Sequence, residues 1–398
     1  MGQRLGGRRG AVLLALMSAQ LAAAAVYRGL PALVPDLRDE LGISLQEAGL
    51  VVAAPSAGNA VMLMVWGVLG DRRGERWLLP LGMAGAAVGL AITALADDVG
   101  GVIAGLFITG LFSAVAVTSV HAASEWSTTQ NRAAAVSLVM TGIALGGAVA
   151  ALALPLISGP SSTSWAFAAL AALAAASALA LAVVLRRPPR NPEEASPSGV
   201  ATAPYYRDGR IWAMIVAACL LVVTSVGLVG FIPVYFHEEL GVTTVASGAI
   251  LAGALTATAV LRVAAGHLGD RLGRRLLPNL WFALATVALV PLMVVATGVS
   301  AALAAALAIA VVAVSFAGNG LSATAVAERA GAAHRGAALA MRKTLVFGAG
   351  VAGPVALGAL IAPLGWEAAL TMTLVPAALS AVVIAPLALR EGRATRPG

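Results

Sequence analysis

Charge is scarce in this chain and cysteine almost absent. Only 11% of the 398 residues are charged and 60% are hydrophobic, whereas soluble domains carry roughly 25% charged residues. A soluble fold of this length must present water with a surface that so few charges cannot supply. A water-soluble globular protein is therefore excluded, and lipid is the solvent expected for the excess. The one cysteine, Cys219, excludes an intramolecular disulfide and any multi-cysteine metal site. The four histidines, His121, His237, His267 and His334, have no spacing for a metal site, so no metal and no cofactor are expected. Also missing are G-x-S-x-G, H-E-x-x-H, a P-loop and a dinucleotide fingerprint. No extramembrane stretch is large enough for a catalytic domain. An enzyme is not expected, nor ATP-driven pumping by this chain.

What the chain does contain is apolar length. Runs near or above the ~20 residues that cross a bilayer fall at 11–34, 46–69, 77–96, 101–122, 133–157, 165–185, 211–236, 243–265, 277–297, 300–324, 337–362 and 366–388. Many are rich in small residues, as at Gly142, Gly146 and Gly147 or Gly348, Gly350 and Gly353. Small residues let helix backbones approach closely in lipid. The net charge of +7 sits in short clusters between these runs, the pattern of membrane-flanking loops and not of a nucleic-acid surface. One set of loops holds Arg72, Arg73, Arg76, Arg132, Arg186, Arg187, Arg271, Arg274, Arg275, Arg329 and Arg335, and both termini share that side through Arg4, Arg8, Arg9, Arg390, Arg393 and Arg396. The opposite loops hold Arg38 beside Asp36, Asp39, Glu40, Glu238 and Glu239. The basic side is expected to be cytoplasmic, with both termini there, in a cell inner membrane. Arg4, Arg8 and Arg9 before an apolar run resemble a signal peptide, but the repeat described next needs that run as its first helix, so retention is expected.

The longest polar stretch, 186–209, contains RRPPRNPEEASPSG and reads as a flexible linker. It divides the chain into halves 1–185 and 210–398 that repeat. Asp39-Glu40-Leu41-Gly42 aligns with Glu238-Glu239-Leu240-Gly241, Asp71 with Asp270, Arg132 with Arg335 and Trp165 with Trp366. The expected fold is an all-α membrane protein of twelve transmembrane helices in two pseudo-symmetric six-helix bundles. A repeat in parallel orientation places a cavity between the halves near the midplane.

The loops after the second and eighth runs carry the most specific motif. They read Gly67-x-x-Gly70-Asp71-Arg72-Arg73-Gly74-Glu75-Arg76 and Gly266-x-x-Gly269-Asp270-Arg271-Leu272-Gly273-Arg274-Arg275. The glycines suit a tight turn and close helix contact, and each Asp can accept charge-assisted hydrogen bonds from nearby Arg. A solvated, positive-inside turn would need Arg, but neither Asp nor paired Gly. The motif resembles the loop signature of the major facilitator superfamily, G-x-x-x-D-[RK]-x-G-[RK]-[RK]. The second copy matches fully, and the first departs only where Glu75 replaces a basic residue. Two copies at equivalent loops, twelve spans and a central linker extend the resemblance over nearly the whole chain. It implies secondary transport by alternating access. It also implies a gating role for Gly67, Asp71, Arg72, Gly74, Arg76, Gly266, Asp270, Arg271, Gly273 and Arg274, which latch helices on the cytoplasmic side in one state and release them in the other.

Three spans contain cations. Arg28 lies near the end of the first, Arg262 eight residues before Asp270, and Lys343 eight residues past Arg335 with Arg342 beside it. Eight residues of helix is roughly 12 Å. A cation at a helix centre costs about 2.5–3.5 kcal/mol on insertion scales. The repeat shows that the scaffold does without them: Arg28 pairs with Gly227, Arg262 with Leu63 and Arg342 with Val139. Snorkelling to the interface is the alternative reading, strongest for Arg28 and Arg342. No Asp or Glu occupies the middle of a span, so an anionic ligand would supply the missing counter-charge, with Arg offering a carboxylate a bidentate fork. Tyr27, Asn59 and Asn319 are polar candidates for the same cavity. Gln20, Thr118, Ser119, Thr224 and Ser225 are further ones, and for all of them a bond to a neighbouring helix is the competing reading. Arg262-x-x-x-Gly266 resembles the eighth helix of monocarboxylate transporters and the oxalate:formate antiporter group. In that group a Lys of the eleventh helix joins the Arg in binding substrate, and Lys343 matches it.

The expectation is a monomeric carrier of a small organic solute, a carboxylate favoured, with a coupling proton or counter-substrate and a lipid bilayer as its other partners. A proton-coupled drug antiporter is the alternative. That branch has an Arg four residues before a Gly in the fourth helix, where this chain has Leu106 before Gly110, and a fifth-helix G-P pair, where it has Leu154-Pro155. A Gly353-Pro354 pair does occur in the eleventh helix. A non-transporting membrane sensor on the same scaffold is the third reading.

Overall fold

The computed structural model describes residues 2–127, 131–159, 162–185 and 205–391. Most of the expected linker, 186–204, lies outside the described residues, as do Arg393 and Arg396. Among the described residues every regular element is helical. Twelve helices are long and apolar enough to cross a membrane: α1 (Arg9–Leu41), α2 (Leu45–Gly70), α3 (Glu75–Ala94), α4 (Val99–Glu125), α5 (Ala134–Ser158), α6 (Thr163–Val184), α7 (Gly209–Glu238), α8 (Thr244–Leu272), α9 (Leu276–Thr297), α10 (Ala301–Gly331), α11 (His334–Leu364) and α12 (Trp366–Glu391). Their outer surfaces carry large exposed apolar side chains such as Trp165, Leu179, Val183, Val260, Val295 and Val382, a coat that lipid tolerates and water does not.

Most boundaries fall within a few residues of the sequence expectation; α8 and α10 run on to Leu272 and Gly331, past the expected 265 and 324, and α1 is the instructive case. It runs on to Leu41 instead of ending near residue 34, despite Pro31 and Pro35. The chain tightens into a 3₁₀ turn at Leu30–Leu33 and resumes as α-helix at Val34–Leu41, with each proline at the first or second position of its piece. There a missing N–H costs nothing.

Helix starts are fixed by local chemistry. The Ser44 hydroxyl accepts from the Glu47 N–H at 3.2 Å while the Glu47 carboxylate accepts from the Ser44 N–H at 2.8 Å, a reciprocal cap at the start of α2. Asp98 caps α4 through the Gly101 N–H at 2.8 Å. Other caps come from distant helices. Glu40, at the end of α1, accepts the Thr163 N–H at 2.8 Å and the Thr163 and Ser162 hydroxyls at 2.7 and 2.6 Å, closing the start of α6. Glu391, at the end of α12, accepts the N–H groups of Arg275 and Leu276 at 2.9 and 2.8 Å and closes the start of α9.

The chain forms two compact units, Met1–Ala195 with Thr243–Ala252, and Ser196–Val242 with Gly253–Gly398. Each has the same kind of central crossing. In the first, α1 packs on α5 so closely that a Cβ on Gly146 would lie 2.2 Å from the Leu21 carbonyl oxygen. In the second, α7 packs on α11, and a Cβ on Gly353 would lie 2.3 Å from the Val223 carbonyl oxygen. Small residues thus do at these crossings what the composition promised.

Candidate functional site

The second unit gathers most of the cations predicted from sequence. Arg342, on α11, reaches across to α10 and donates from Nη2 to the Asn319 backbone carbonyl at 3.0 Å and to Asn319 Oδ1 at 2.5 Å. It is 6% exposed, so the snorkelling alternative does not hold for this residue. The carbonyl it takes lies at the turn where Ala301–Ala317 gives way to Asn319, a place where the regular helical ladder is interrupted. Arg262, half-buried on α8, runs its aliphatic stem past the next residue: a Cβ on Gly320 would meet Arg262 Cγ at 3.9 Å. Arg262 and Arg342 therefore converge on the Asn319-Gly320 step from two different helices. Lys343 follows Arg342 in the chain and is half-buried. Among the described residues its ammonium makes no hydrogen bond and no ion pair. Both bonds from Arg342 to Asn319 go to neutral oxygens, not to a carboxylate.

The candidates of the first unit are arranged differently. Arg28 lies over the ring of its neighbour Tyr27, with Cζ 5.7 Å from the centroid, both half-buried. Asn59 is 3% exposed and its amide donates to the Pro55 carbonyl of its own helix at 3.0 Å. Gln20 ties α1 to α4 through the Ala116 carbonyl at 2.9 Å and the Ser119 hydroxyl at 3.1 Å. In the second unit Thr224 donates to the Thr373 carbonyl at 2.8 Å and Ser225 to the Leu221 carbonyl at 2.7 Å. Gln20 and Thr224 thus follow the helix-to-helix bonding reading, and Ser225 bonds along its own helix.

The motif loops differ in how much of each is described. The side chains of Asp71 and Arg72 lie outside the described residues. Gly74 and Gly273 adopt φ of 77° and 60°, in the left-handed region where a side chain strains the backbone, so both turns depend on glycine. Close helix contact was expected at Gly67 and Gly266 too, and is not found: among the described residues nothing lies within 4 Å of a Cβ built at either. The tight approach belongs to Gly269, whose Cβ would meet Leu321 at 2.6 Å. Around the second loop Arg275 pairs with Asp270 and, through Nε at 3.3 Å, with Glu328 at the end of α10. The hydrogen bond that Arg275 donates to Asp270 and the charge of Glu328 raise the Arg275 pKa against its burial. Arg329 Nε meets Asp208 Oδ2 at 2.6 Å. The sequence analysis gave a gating role to Arg271 and Arg274 and not to Arg275, though it stands in the motif, nor to Glu328. The repeat held the signal, since Arg275 is the counterpart of Arg76. Arg271 is exposed and Arg274 half-buried. The sequence also undervalued Arg342, because nothing local tells that its guanidinium finds Asn319.

In the first unit the equivalent corner is built from other residues. Glu75, where the motif calls for a base, lies with Oε1 3.3 Å from His121 Nδ1, and Glu125 Oε1 is 3.6 Å from the same nitrogen. The sequence expectation of no metal site rested on the spacing of histidines. The fold brings two glutamates to one of them.

Twelve apolar helices, cations within the spans and duplicated charged turns define a multi-pass membrane protein. The family model described as Major Facilitator Superfamily matches residues 16–354, and the chain belongs to that family, a family of transporters and not of enzymes. An uncharacterised MFS-type transporter of Mycobacterium tuberculosis, Rv2994, is 28% identical over 403 residues, covering 98% of this chain and 88% of the relative. Among solved structures, a bacterial homologue of the human lysosomal transporter Spinster superposes with a TM-score of 0.83 at 16% identity, over 98% of each chain. A variant of the nucleoside transporter NupG gives 0.77 at 15% identity, over 94% of this chain and 99% of that one. At these identities the structures speak for the fold alone. Fold and family together support secondary transport of a small molecule across a lipid bilayer.

Proposed function

We propose that this protein carries a small organic anion, a carboxylate, across a cell inner membrane by alternating access. It is read as a monomer of two six-helix bundles, 1–185 and 210–398, joined by 186–209, with both termini cytoplasmic. The observation that carries the substrate class is the cation group on α8 and α11. Lys343 has no hydrogen-bond or ion-pair partner among the described residues, and Arg342 is held by the neutral oxygens of Asn319. Cations this costly in a membrane span are explained if a ligand brings the counter-charge. Arg262 supplies a fork for a carboxylate, Lys343 a point charge, and Arg342 fixes the Asn319-Gly320 step beside them. The similarity of Arg262-x-x-x-Gly266 and Lys343 to the oxalate:formate group supports the same class. Tyr27, Arg28 and Asn59 are read as the first half's contribution. Asp270, Arg275 and Glu328 are read as a latch on the cytoplasmic side, with Gly74 and Gly273 shaping its turns.

The test is uptake into proteoliposomes under an imposed pH gradient, with mono- and dicarboxylates, nucleosides and cationic dyes as the panel. Carboxylate uptake is expected. Arg262→Leu and Lys343→Leu should each weaken it by about 10–150-fold, the worth of one charge-assisted contact of about 1.5–3 kcal/mol. Transport of neutral or cationic solutes alone, or unchanged affinity in both variants, overturns the anion site. Binding without uptake would identify a sensor.

A further inference from the structure

Glu75, His121 and Glu125 sit beside the first unit's motif loop, outside the cation group assigned above. We propose that these three side chains bind a divalent transition-metal ion of borderline softness, zinc being the representative case, and that the ion ties the start of α3 to the end of α4.

The geometry comes from two elements. His121 and Glu125 are four residues apart on α4, so they share one helix face. Glu75 opens α3 and approaches the same point from another element. The imidazole Nδ1 is 3.3 Å from Glu75 Oε1 and 3.6 Å from Glu125 Oε1, and the three ligand atoms lie within 4.8 Å of one another. Four ligands at about 2.0–2.1 Å from a tetrahedral ion stand roughly 3.3–3.4 Å apart. Two edges of the triangle are already near that length, whereas a direct N–H···O bond would draw the pair to about 2.9 Å. One imidazole with two carboxylates is a mixed N/O set, which suits zinc or nickel better than magnesium or calcium. His121 is 67% exposed, which gives an ion a way in and leaves room for a water as fourth ligand.

The second half of the chain supplies a control for what the scaffold needs. At the equivalent corner Glu125 is replaced by Glu328, Glu75 by Arg274 and His121 by Thr324. There the glutamate is neutralised by Arg275 at 3.3 Å. In the first half the counterpart of Arg275 is Arg76, and its Cζ instead stacks 4.9 Å from the centre of the Trp77 ring. The same fold thus closes one corner with an arginine and presents a chelate at the other.

Zinc binding to the full chain tests this. The protein is purified through a tag without histidines, stripped of metal and titrated near neutral pH, where imidazole is free to ligate, against a chromophoric chelator. One equivalent is expected to bind. His121→Asn and Glu75→Gln should each weaken it by at least about tenfold. His334→Asn should leave it unchanged, and excess magnesium should not displace it. The melting temperature of the wild type should rise with zinc, as for any ligand that binds only the folded state, and that of Glu75→Gln should rise less. Equal zinc affinity in the wild type, His121→Asn and Glu75→Gln, or loss of binding in His334→Asn alone, overturns the site. Glu75→Gln is isosteric and keeps the test decisive should the histidine variant fail to fold.

Discussion

Replacing Lys343 by Met should make the ligand-free protein more stable and the transporter worse. A cation at a helix centre costs about 2.5–3.5 kcal/mol. Lys343 is half-buried, not fully enclosed, and its long stem can lead the ammonium toward a wetter place, so about half of that cost, roughly 1–2 kcal/mol, is taken as present. Among the described residues no hydrogen bond or ion pair offsets it. Methionine keeps the stem and removes the charge, and should raise the melting temperature in detergent by about 2–4 °C. Carboxylate affinity should fall by about 10–150-fold with the loss of one charge-assisted contact. The adjacent Arg342 provides the contrast. Arg342→Met, at a residue only 6% exposed, relieves the full cost of about 2.5–3.5 kcal/mol but gives up two bonds to Asn319, each about 1.5–3 kcal/mol to a charged donor. The central values leave it about 1.5 kcal/mol less stable. Neighbouring cations should therefore move stability in opposite directions. A lower melting temperature and unchanged affinity in Lys343→Met would refute the reasoning and make the lysine structural.

Three further outcomes follow from single contacts. Gly146→Ala sets a Cβ 2.2 Å from the Leu21 carbonyl oxygen, and forced separation of α1 and α5 should cost about 1–3 kcal/mol, read as a lower melting temperature. Glu391→Gln weakens the cap that Arg275 and Leu276 donate to. It should cost about 0.5–2 kcal/mol in the same assay and leave ligand affinity unchanged. Asp208 is pushed up by burial, but the Arg210 N–H and the bond and charge of Arg329 outweigh this and hold it below the ordinary value. A lowered folded pKa adds stability above the ordinary carboxylate range and loses it as pH falls through the folded value. The stability gap between wild type and Asp208→Asn should therefore shrink below about pH 4, and salt should narrow it at neutral pH.

The architecture was legible because its signals are local and repeated. Twenty apolar residues in a row need no partner to be recognised, and Asp270 with Gly273 names its turn by spacing alone. The end of α1 was not legible at Pro31 and Pro35, since a proline breaks a helix or opens one according to register. The site was only half legible. Arg262 and Lys343 are conspicuous by type in an apolar run. That Arg342 is anchored on Asn319 and that Glu75 meets His121 both depend on contacts across 23 or more residues of sequence. No local pattern encodes these.

Comparing the two halves sorts these residues by role. Positions that agree, Gly74 with Gly273 and Glu125 with Glu328, lie at turns and helix ends that both halves must build. Positions that disagree are where chemistry was added to a scaffold that does not require it. Arg262 stands opposite Leu63, Arg342 opposite Val139 and Lys343 opposite Met140, while Glu75 stands opposite Arg274 and His121 opposite Thr324. The first three place cations within one half's helices, where each carries a cost of membrane insertion. Of the last two, one exchanges anion for cation and the other histidine for threonine, at a wet corner where the cost is small. An anion site and a metal site are the simplest readings of two departures from symmetry that differ in sign. Making the halves alike at one set should abolish one property and spare the other. The double variant Glu75→Arg with His121→Thr should lose zinc and keep carboxylate affinity, and Arg262→Leu with Lys343→Met should do the reverse. If either pair removed both properties together, the two sites would not be separate and the sorting by symmetry would fail.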